Sequence, residues 1–516
     1  MNFRKRKNTP ENDTNLNTTT KKENSQLTSS LEENLKTFRN IFESDETIEY
    51  RMLENKTQKF LQGCVIFVDG MIDHQILDQY VIEQVLSSDI PRYTREGYVE
   101  DLQKKSITAS NVFLTQSIED ITDAILQGSA VFLLDGSTYS TVIDCKNLAS
   151  RSVQEASSEQ AVRGPRDGFT EQILVNISLI RRRVISPDLK FKYKNIGTIT
   201  KTKVCICYLD NIASDQVVEE LENRLDKLEI DGIVDSGYIQ ELIKDSPLSP
   251  FDTVGYTERP DSVVGKILEG RVALIVDGSP FVLTVPFIFP EIFQTPEDYY
   301  NNFIFSSFNR LLRIFGAMMA LFVPAIYVSL TNFHQELLPT PLLLSIAAGR
   351  SDVPFPTVLE AFLMLIVFEI LREAGARMPT AIGQTVSIVG ALVLGQAAVD
   401  AKFIAPSMII IIALTGISAL MNIKVQGAIL ILRFVFLILA AFMGIYGVIF
   451  GALCLLNHLM SIRSFGVPYM LTEGSIRYTD IKDTLIRAPW WYMKLRPQII
   501  ASKNRSRMKK YAKKGK

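Results

Sequence analysis

Residues 427–456 read GAILILRFVFLILAAFMGIYGVIFGALCLL and carry one charge, Arg433. About 20 apolar residues suffice for one helix to cross the hydrocarbon of a bilayer, so this run is either a single over-long helix or a bent pair. Gly444, Gly447 and Gly451 offer sites for a bend or hairpin. An isolated charge at such depth is expensive, so Arg433 is expected to pair with Glu369, Glu360 or lipid headgroups.

The same solvent is implied by the neighbouring segments. IFGAMMALFVPAIYVSL, 314–330, is long enough for a first span, with Arg310 and Arg313 at its entrance and Pro324 as a kink. Segments 380–399 and 403–422 are also apolar. Segment 357–371 contains Glu360 and Glu369 and crosses only if those carboxylates face protein or water. The end of the chain, KNRSRMKKYAKKGK, is basic, which predicts a cytoplasmic tail able to touch anionic lipid. The first residues, MNFRKRKNTPENDTNLNTTTKKENSQ, hold no apolar core of the signal-peptide kind and are expected to stay in the cytoplasm. Two ends on one side require an even number of crossings. Five runs are visible, so either 357–371 does not cross or 427–456 crosses twice.

Residues 1–300 read as water-soluble protein. A formal net charge of -1 gives no reason to expect nucleic acid. Cys64, Cys145, Cys205, Cys207 and Cys454 lack the spacing of a zinc site or a disulfide framework. Cys205 and Cys207 alternate in VCICYL, as small apolar residues on one face of a strand do. His74, His334 and His458 lie far apart. A pattern recurs, however: ILQGSAVFLLDGS at 125–137 returns as ILEGRVALIVDGS at 267–279. Each copy reads as a helix closed by a glycine (Gly128, Gly270), a strand, an Asp-Gly turn and a second strand. Turn chemistry alone explains the Asp-Gly pairs. Residues about 31–60 read as an amphipathic helix before the buried strand GCVIFVDGM, and KTKVCICYLD as a strand before a solvated helix.

The predicted fold is therefore a two-lobed α/β cytosolic N-terminal domain followed by an α-helical multi-span transmembrane domain. Residues 1–30 are expected to be a disordered lead, 31–150 and 151–300 the two lobes, 301–460 the transmembrane helices and 461–516 the cytoplasmic tail.

Two stretches are candidate sites. In RGPRDGFTEQILVNISLIRRR, 163–183, Phe169, Ile173, Ile177 and Ile180 share one side of a helix, with Asp167 placed to cap its start and Arg181–Arg183 suited to its negative end. Arg163, Arg166, Asp167 and Glu171 set both signs side by side, which suits a self-complementary contact between copies of the chain better than a phosphate pocket. In PTAIGQTVSIVGALVLGQAAVD, Thr380, Gln384, Ser387 and Ala391 recur at steps of four, three and four. That stripe either packs helices together or, if several copies turn it to one axis, lines a pore. No Walker loop, nucleophile elbow or zincin motif is present, so the sequence predicts neither an enzyme nor a cofactor.

The stretches RGPRDGFTEQILVNISLIRRRV, ERPDSVVGKILEGRVALIVDGSPFVLTVP, PEDYY and SFGVPYM followed by DTLIRAPWWYMKLRP resemble the A subunit of bacterial spore germinant receptors, the GerA family, over roughly residues 35–500. The resemblance implies a place in the spore inner membrane and a role in nutrient-triggered exit from dormancy. It also implies a transporter-like B subunit as nutrient binder, a lipoprotein C subunit, and a ring of A subunits that releases cations. A secondary transporter would need inverted repeats with matching broken helices, and none is evident; a purely structural scaffold would leave the polar stripe with only a packing role.

Overall fold

The repeated pattern folds twice into one topology. The computed structural model describes residues 26–54, 62–87, 112–146, 155–156, 158–378, 390, 393–470, 483–497, 500–501 and 503–508. Contacts divide the chain into two compact units, residues 1–151 with 177–192, and residues 152–176 with 193–516. Each is taken by itself.

In the first unit, α1 (Leu31–Ile41) precedes β1 (Ile48–Glu54), β2 (Gln62–Val68), β3 (Val112–Thr115), α2 (Ile118–Leu126), β4 (Ala130–Leu134) and β5 (Ser140–Ile143). The sheet order is β1-β2-β4-β5-β3. The helix expected over about 31–60 ends at Ile41. Ser44 turns at φ 63°, Asp45 accepts the Thr47 N–H at 3.2 Å, and the alternating IEYRMLE then pairs antiparallel with β2. Strand-period alternation beside a ready partner outweighs the helical pattern there. Phe38, Ile66, Ile121 and Ile125 pack on one face of the sheet, Val65, Leu77 and Phe132 on the other.

Arg181, at the end of α3 (Ile173–Arg181), belongs to this unit. The sequence matched Arg181 to the negative end of its helix; in the structure it is fully buried, 2.6 Å from Asp45 Oδ2 and 2.7 Å from Thr47 Oγ1, and stacked over the Phe191 ring. Its partner lies 136 residues away in the chain, a contact no local pattern announces.

The second unit repeats the plan with β6 (Leu189–Ile196), β7 (Thr202–Leu209), α4 (Asp215–Asp226), β8 (Gly255–Thr257), α5 (Pro260–Ile267), β9 (Val272–Val276) and β10 (Val282–Val285), in the order β6-β7-β9-β10-β8. Cys205 and Cys207 are both buried in β7, as expected of small apolar residues. Gly128 and Gly270 end their helices at φ 88° and 103°, and Gly136 and Gly278 turn the hairpins at 81° and 85°, as the sequence required.

The Asp-Gly turns do more than reverse the chain. Asp135 Oδ1 accepts the Leu31 N–H that opens α1, and Asp277 Oδ1 accepts the Ile173 N–H that opens α3, both at 3.2 Å and both across 104 residues. Asn34 and Asn176 close matching loops onto Thr28 and Thr170. The duplication thus includes the helix in front of each lobe. Asp167 does not cap α3: the helix starts six residues later, beyond reach of a local carboxylate, and the hairpin aspartate takes that place.

The second unit continues into helices α6 (Phe303–Asn332), α7 (Thr340–Arg350), α8 (Thr357–Arg377), α9 (Pro406–Leu420) and α10 (Gln426–Ser461). By length and composition, Phe303–Asn332 and Ile423–Ser461 are the two helices among the described residues long and apolar enough to cross a membrane. The second is broken: Gly444 sits at φ 60° and ψ -141°. A Cβ on Gly447 would lie 2.3 Å from the Leu439 carbonyl oxygen, and one on Gly451 2.9 Å from the Phe436 ring, distances possible only if the chain doubles back. Val425 and Ile429 also share one apolar cluster with Leu459 and Ile462, the other end of the run. The element is a helical hairpin of two arms, each roughly 26 Å long.

Asp277→Ala should lower stability by about 1 kcal/mol, the usual loss of a helix cap. The check is a lower thermal midpoint together with faster hydrogen exchange at the Ile173 amide, while the Leu31 amide keeps its protection.

Candidate functional site

The two copies of the lobe serve as each other's control. Ser117, Ala124, Ser129 and Val142 in the first stand where Arg259, Lys266, Arg271 and Thr284 stand in the second. The fold forms without those polar groups, so in the second copy they answer another demand. All four lie on the part of the second unit joined to the helices.

Glu291, in a short 3-10 turn after β10, receives Arg271 at 2.9 Å, Lys266 at 3.2 Å and the Ile288 N–H at 3.0 Å. Burial works to raise the Glu291 carboxyl, but Arg271 and Lys266 more than offset it and hold it below its ordinary value. Burial, with Lys424 and Arg271 nearby, pushes the Lys266 ammonium below its own ordinary value. Thr284 accepts from Lys266 at 2.9 Å.

A second cluster fixes the foot of α6. Arg310 and Arg313 lie one turn apart and both end on Asp298, at 3.1 and 2.5 Å. Arg310 also donates to the Asp483 carbonyl at 2.7 Å and pairs with its carboxylate at 3.2 Å. The Tyr299 hydroxyl donates to Asp483 Oδ2 at 2.7 Å. Burial raises the Asp483 carboxyl above its ordinary value although Arg310 pulls it down. Between the two clusters runs a cleft of about 180 Å³ lined by Lys266, Arg271, Glu291, Tyr299, Lys424 and Trp490 among others.

The loop that holds Arg163 and Arg166 is tied to the same place. Arg259 donates to the carbonyls of Pro165 (3.0 Å) and Glu159 (3.3 Å) and pairs with Asp261 at 2.7 Å. Gly164 takes φ 126° and lies so close to Tyr300 that a Cβ would come within 2.6 Å of its ring. Glu159 bonds the Thr257 hydroxyl and pairs at 3.0 Å with Lys424, in the turn between α9 and α10. Burial works to raise the Glu159 carboxyl, and Lys424 with Thr257 more than offsets it, leaving it below its ordinary value. Ser249 and His458 make a further tie at 3.0 Å. Through these links the α/β lobe, its exposed loop and the near ends of the helices are one connected assembly within this unit.

Of the residues expected at copy-to-copy contacts, Arg163, Arg166 and Glu171 are exposed and Asp167 half-buried, with Arg166 paired to Glu155 at 3.2 Å. Thr380, Gln384, Ser387 and Ala391 lie outside the described residues. Glu369 does pair with Arg433, at 3.2 Å, as the sequence suggested, but Glu360 does not: it binds Arg350 at 3.3 Å and the Ala405 N–H at 3.1 Å. Arg433 also donates to the Ala320 carbonyl at 2.9 Å, the oxygen that Pro324, lacking an N–H, leaves without its helical partner. Sequence reasoning missed Glu159, Arg259, Lys266, Arg271, Glu291, Asp298 and Asp483. A signal existed for some: Arg271 heads a buried strand and Glu291 interrupts PFIFPEIF, charges inside apolar runs that need partners.

Asp298→Asn should leave Arg310 buried with a weakened counter-charge, and breaking such a pair costs about 3–5 kcal/mol. A marked fall in the thermal midpoint of the solubilised protein is expected. The double variant Asp298→Leu with Arg310→Met, which removes both charges, should recover part of it.

Residues 36–499 match the family model described as Bacillus/Clostridium GerA spore germination protein. The chain is 39% identical to spore germination protein KA of Bacillus subtilis (strain 168) over 94% of its length and 89% of that protein's. It is 38% identical to a membrane protein of the same organism, YfkQ, over 93% of both chains. A solved structure, the N-terminal domain of the A subunit of the Bacillus megaterium spore germinant receptor GerK3, is 30% identical and aligns with 51% of this chain and 98% of its own, with a TM-score of 0.41. With nearly its whole length matched in this way, the chain belongs to the GerA family of spore germination proteins.

Proposed function

We propose that this chain is the A subunit of a nutrient germinant receptor in the spore inner membrane, that it acts with a transporter-like B subunit and a lipoprotein C subunit, and that several copies form a ring which releases ions when nutrient binds. The observation that carries the reading is the set of charges found in the second lobe and absent from the first, which ties an exposed loop through Glu159 and Lys424 to the turn between two apolar helices. A shift of that loop against a neighbouring copy then pulls directly on α9 and α10. The exposed Arg163, Arg166 and Glu171, with Asp167, are the proposed contact. Stripe residues Thr380, Gln384, Ser387 and Ala391 are the proposed pore lining, on the strength of their spacing.

We further propose six crossings, which reconciles the parity of the ends. The Thr357 hydroxyl meets Asn332 at 2.9 Å, so α8 starts where α6 finishes. Lys402 pairs with Asp352, and Glu360 with the Ala405 N–H, so α9 starts at that same far end. Asn422 reaches the Arg313 carbonyl at 2.7 Å, so α9 returns to the near end. The hairpin of α10 supplies two arms, with its tip, Gly444, against Phe333. The sixth crossing this requires falls to the apolar segment 380–399, within which residues 390 and 393–399 are described and helical.

Two experiments test this. With single cysteines, positions 352 and 402 should react with a membrane-impermeant maleimide from the non-cytoplasmic face and position 424 only from the cytoplasm; labelling of 352 and 424 from one face would end the six-crossing arrangement. Gln384→Leu should leave the amount of receptor in spores unchanged and slow nutrient-triggered potassium release at least tenfold. Release at the normal rate would reduce the stripe to a packing role.

A further inference from the structure

The cleft between the two charge clusters, about 180 Å³, has room for a molecule slightly larger than benzene, which an engineered cavity of ~150 Å³ admits. Unlike that cavity it is polar. Among the described residues four cations line it, Lys266, Arg271, Lys424 and Arg507, against three carboxylates, Asp261, Glu269 and Glu291. Arg259 and Glu159, which pair with Asp261 and Lys424 from outside the cleft, leave the surplus at one positive charge.

The uncommitted donors are on two lysines. An ammonium has three N–H groups; that of Lys266 meets Thr284 at 2.9 Å and Glu291 at 3.2 Å, and that of Lys424 meets Glu159 at 3.0 Å. Each keeps at least one donor unspent among the described residues, and each keeps some exposure where it borders the cleft, 14% and 22% of the side chain. Burial, with Lys424 and Arg271 nearby, already disfavours the Lys266 cation, so an anion between the two lysines relieves both. The lining carboxylates are in the opposite state: Arg259 holds Asp261, Arg271 and Arg507 hold Glu269, and Arg271 and Lys266 hold Glu291.

The first lobe again serves as a control. On the face of α5 that forms one wall, Asp261, Ser262, Gly265 and Lys266 stand where α2 of the first lobe has Glu119, Asp120, Asp123 and Ala124. A face of three carboxylates in one copy is a face of one carboxylate and one cation in the other. A Cβ on Gly265 would meet nothing within 4 Å, so the wall is bare where the first lobe carries Asp123.

We infer that the cleft binds a small organic monocarboxylate, its carboxylate between Lys266 and Lys424 and its body along Trp490 and Tyr300. One surplus charge matches a carboxylate better than a phosphate group, which carries up to two. The ammonium of an amino acid would find every lining carboxylate already held. Neither the ring nor the pore enters this inference. The chain's two tryptophans are Trp490 and Trp491, so indole fluorescence of the detergent-solubilised full-length protein reports on the cleft. Benzoate should quench it saturably, and benzamide and L-phenylalanine, which lack the net charge, should bind about tenfold more weakly or worse, the weight of one hydrogen bond to a charged group. Gly265→Asp sets the first lobe's carboxylate at an exposed helix position with open space around it, which leaves folding intact. It should lower benzoate affinity by the same factor, whereas Gly265→Asn, of equal size, should not. Lys266→Ala, also the first lobe's residue, should match Gly265→Asp; if that variant fails to fold, the Gly265 pair decides alone. Any of four results overturns the inference: no saturable quenching by benzoate, benzamide or L-phenylalanine binding as well as benzoate, phosphate displacing benzoate at equal concentration, or equal benzoate affinity in the two Gly265 variants.

Discussion

Asp298 is the constraint on which the second unit turns. A helix made largely of apolar residues, α6, begins with two arginines on one face, and burying either without a counter-charge would cost more than the adjoining contacts return. Because Arg310 and Arg313 are one turn apart, a single carboxylate can serve both. Asp298 is itself fixed by the 3-10 turn it belongs to, where it accepts the Thr295 N–H and hydroxyl at 3.4 and 3.3 Å. The entry of α6 is therefore set by a four-residue turn, and Asp483 brings the C-terminal segment to the same point. Lobe, first long helix and tail form one unit because their charges have nowhere else to be satisfied.

A similar economy governs the interior. Pro324 in α6 and Arg433 in α10 each look like a fault when considered alone. The proline removes an amide and strands the Ala320 carbonyl; the arginine is a cation in an apolar run. Placed together, the Nε–H of Arg433 supplies the donor that Pro324 lacks, and Glu369 on α8 supplies the counter-charge. Three helices are thereby pinned at one level by groups that would each be unfavourable alone. The helix is continuous from Phe303 to Asn332 with Pro324 inside it.

What could be read in advance follows from how local the cause is. The two hairpins, their positive-φ glycines and the buried strands were legible because turn chemistry and alternation act within a few residues. The pairing of Glu369 with Arg433 was legible because an intramembrane charge has few possible partners. The bend at Gly444 was left open, since glycines permit a hairpin without requiring one; what requires it is the contact of Gly447 and Gly451 with Leu439 and Phe436, too tight for any side chain. The first strand was hidden because IEYRMLE follows a true helix and carries enough charge to pass for its continuation. Arg181, Asp298 and the caps made by Asp135 and Asp277 were illegible for one reason: each acts at a distance in sequence that no pattern measures.

The duplication finally separates what the lobe needs from what the molecule does with it. Helix, glycine stop, strand, Asp-Gly turn and distant cap recur in both copies, so these belong to the fold. Arg259, Lys266 and Arg271 occur in the second copy alone, where the first has Ser117, Ala124 and Ser129, small residues that fit the same backbone. Introducing three cations at interior positions is unfavourable unless carboxylates meet them. Asp261, at the position of Glu119 in the first copy, meets Arg259, and Glu291, beyond the shared strands, meets Lys266 and Arg271, while Glu159 and Lys424 extend the network outward to the loop and to the helices. One copy remains a plain lobe, and the other carries a charge network that joins it to the loop and to the turn before α10: Arg259–Asp261 and Arg271–Glu291 are buried, and Glu159–Lys424 is half-buried.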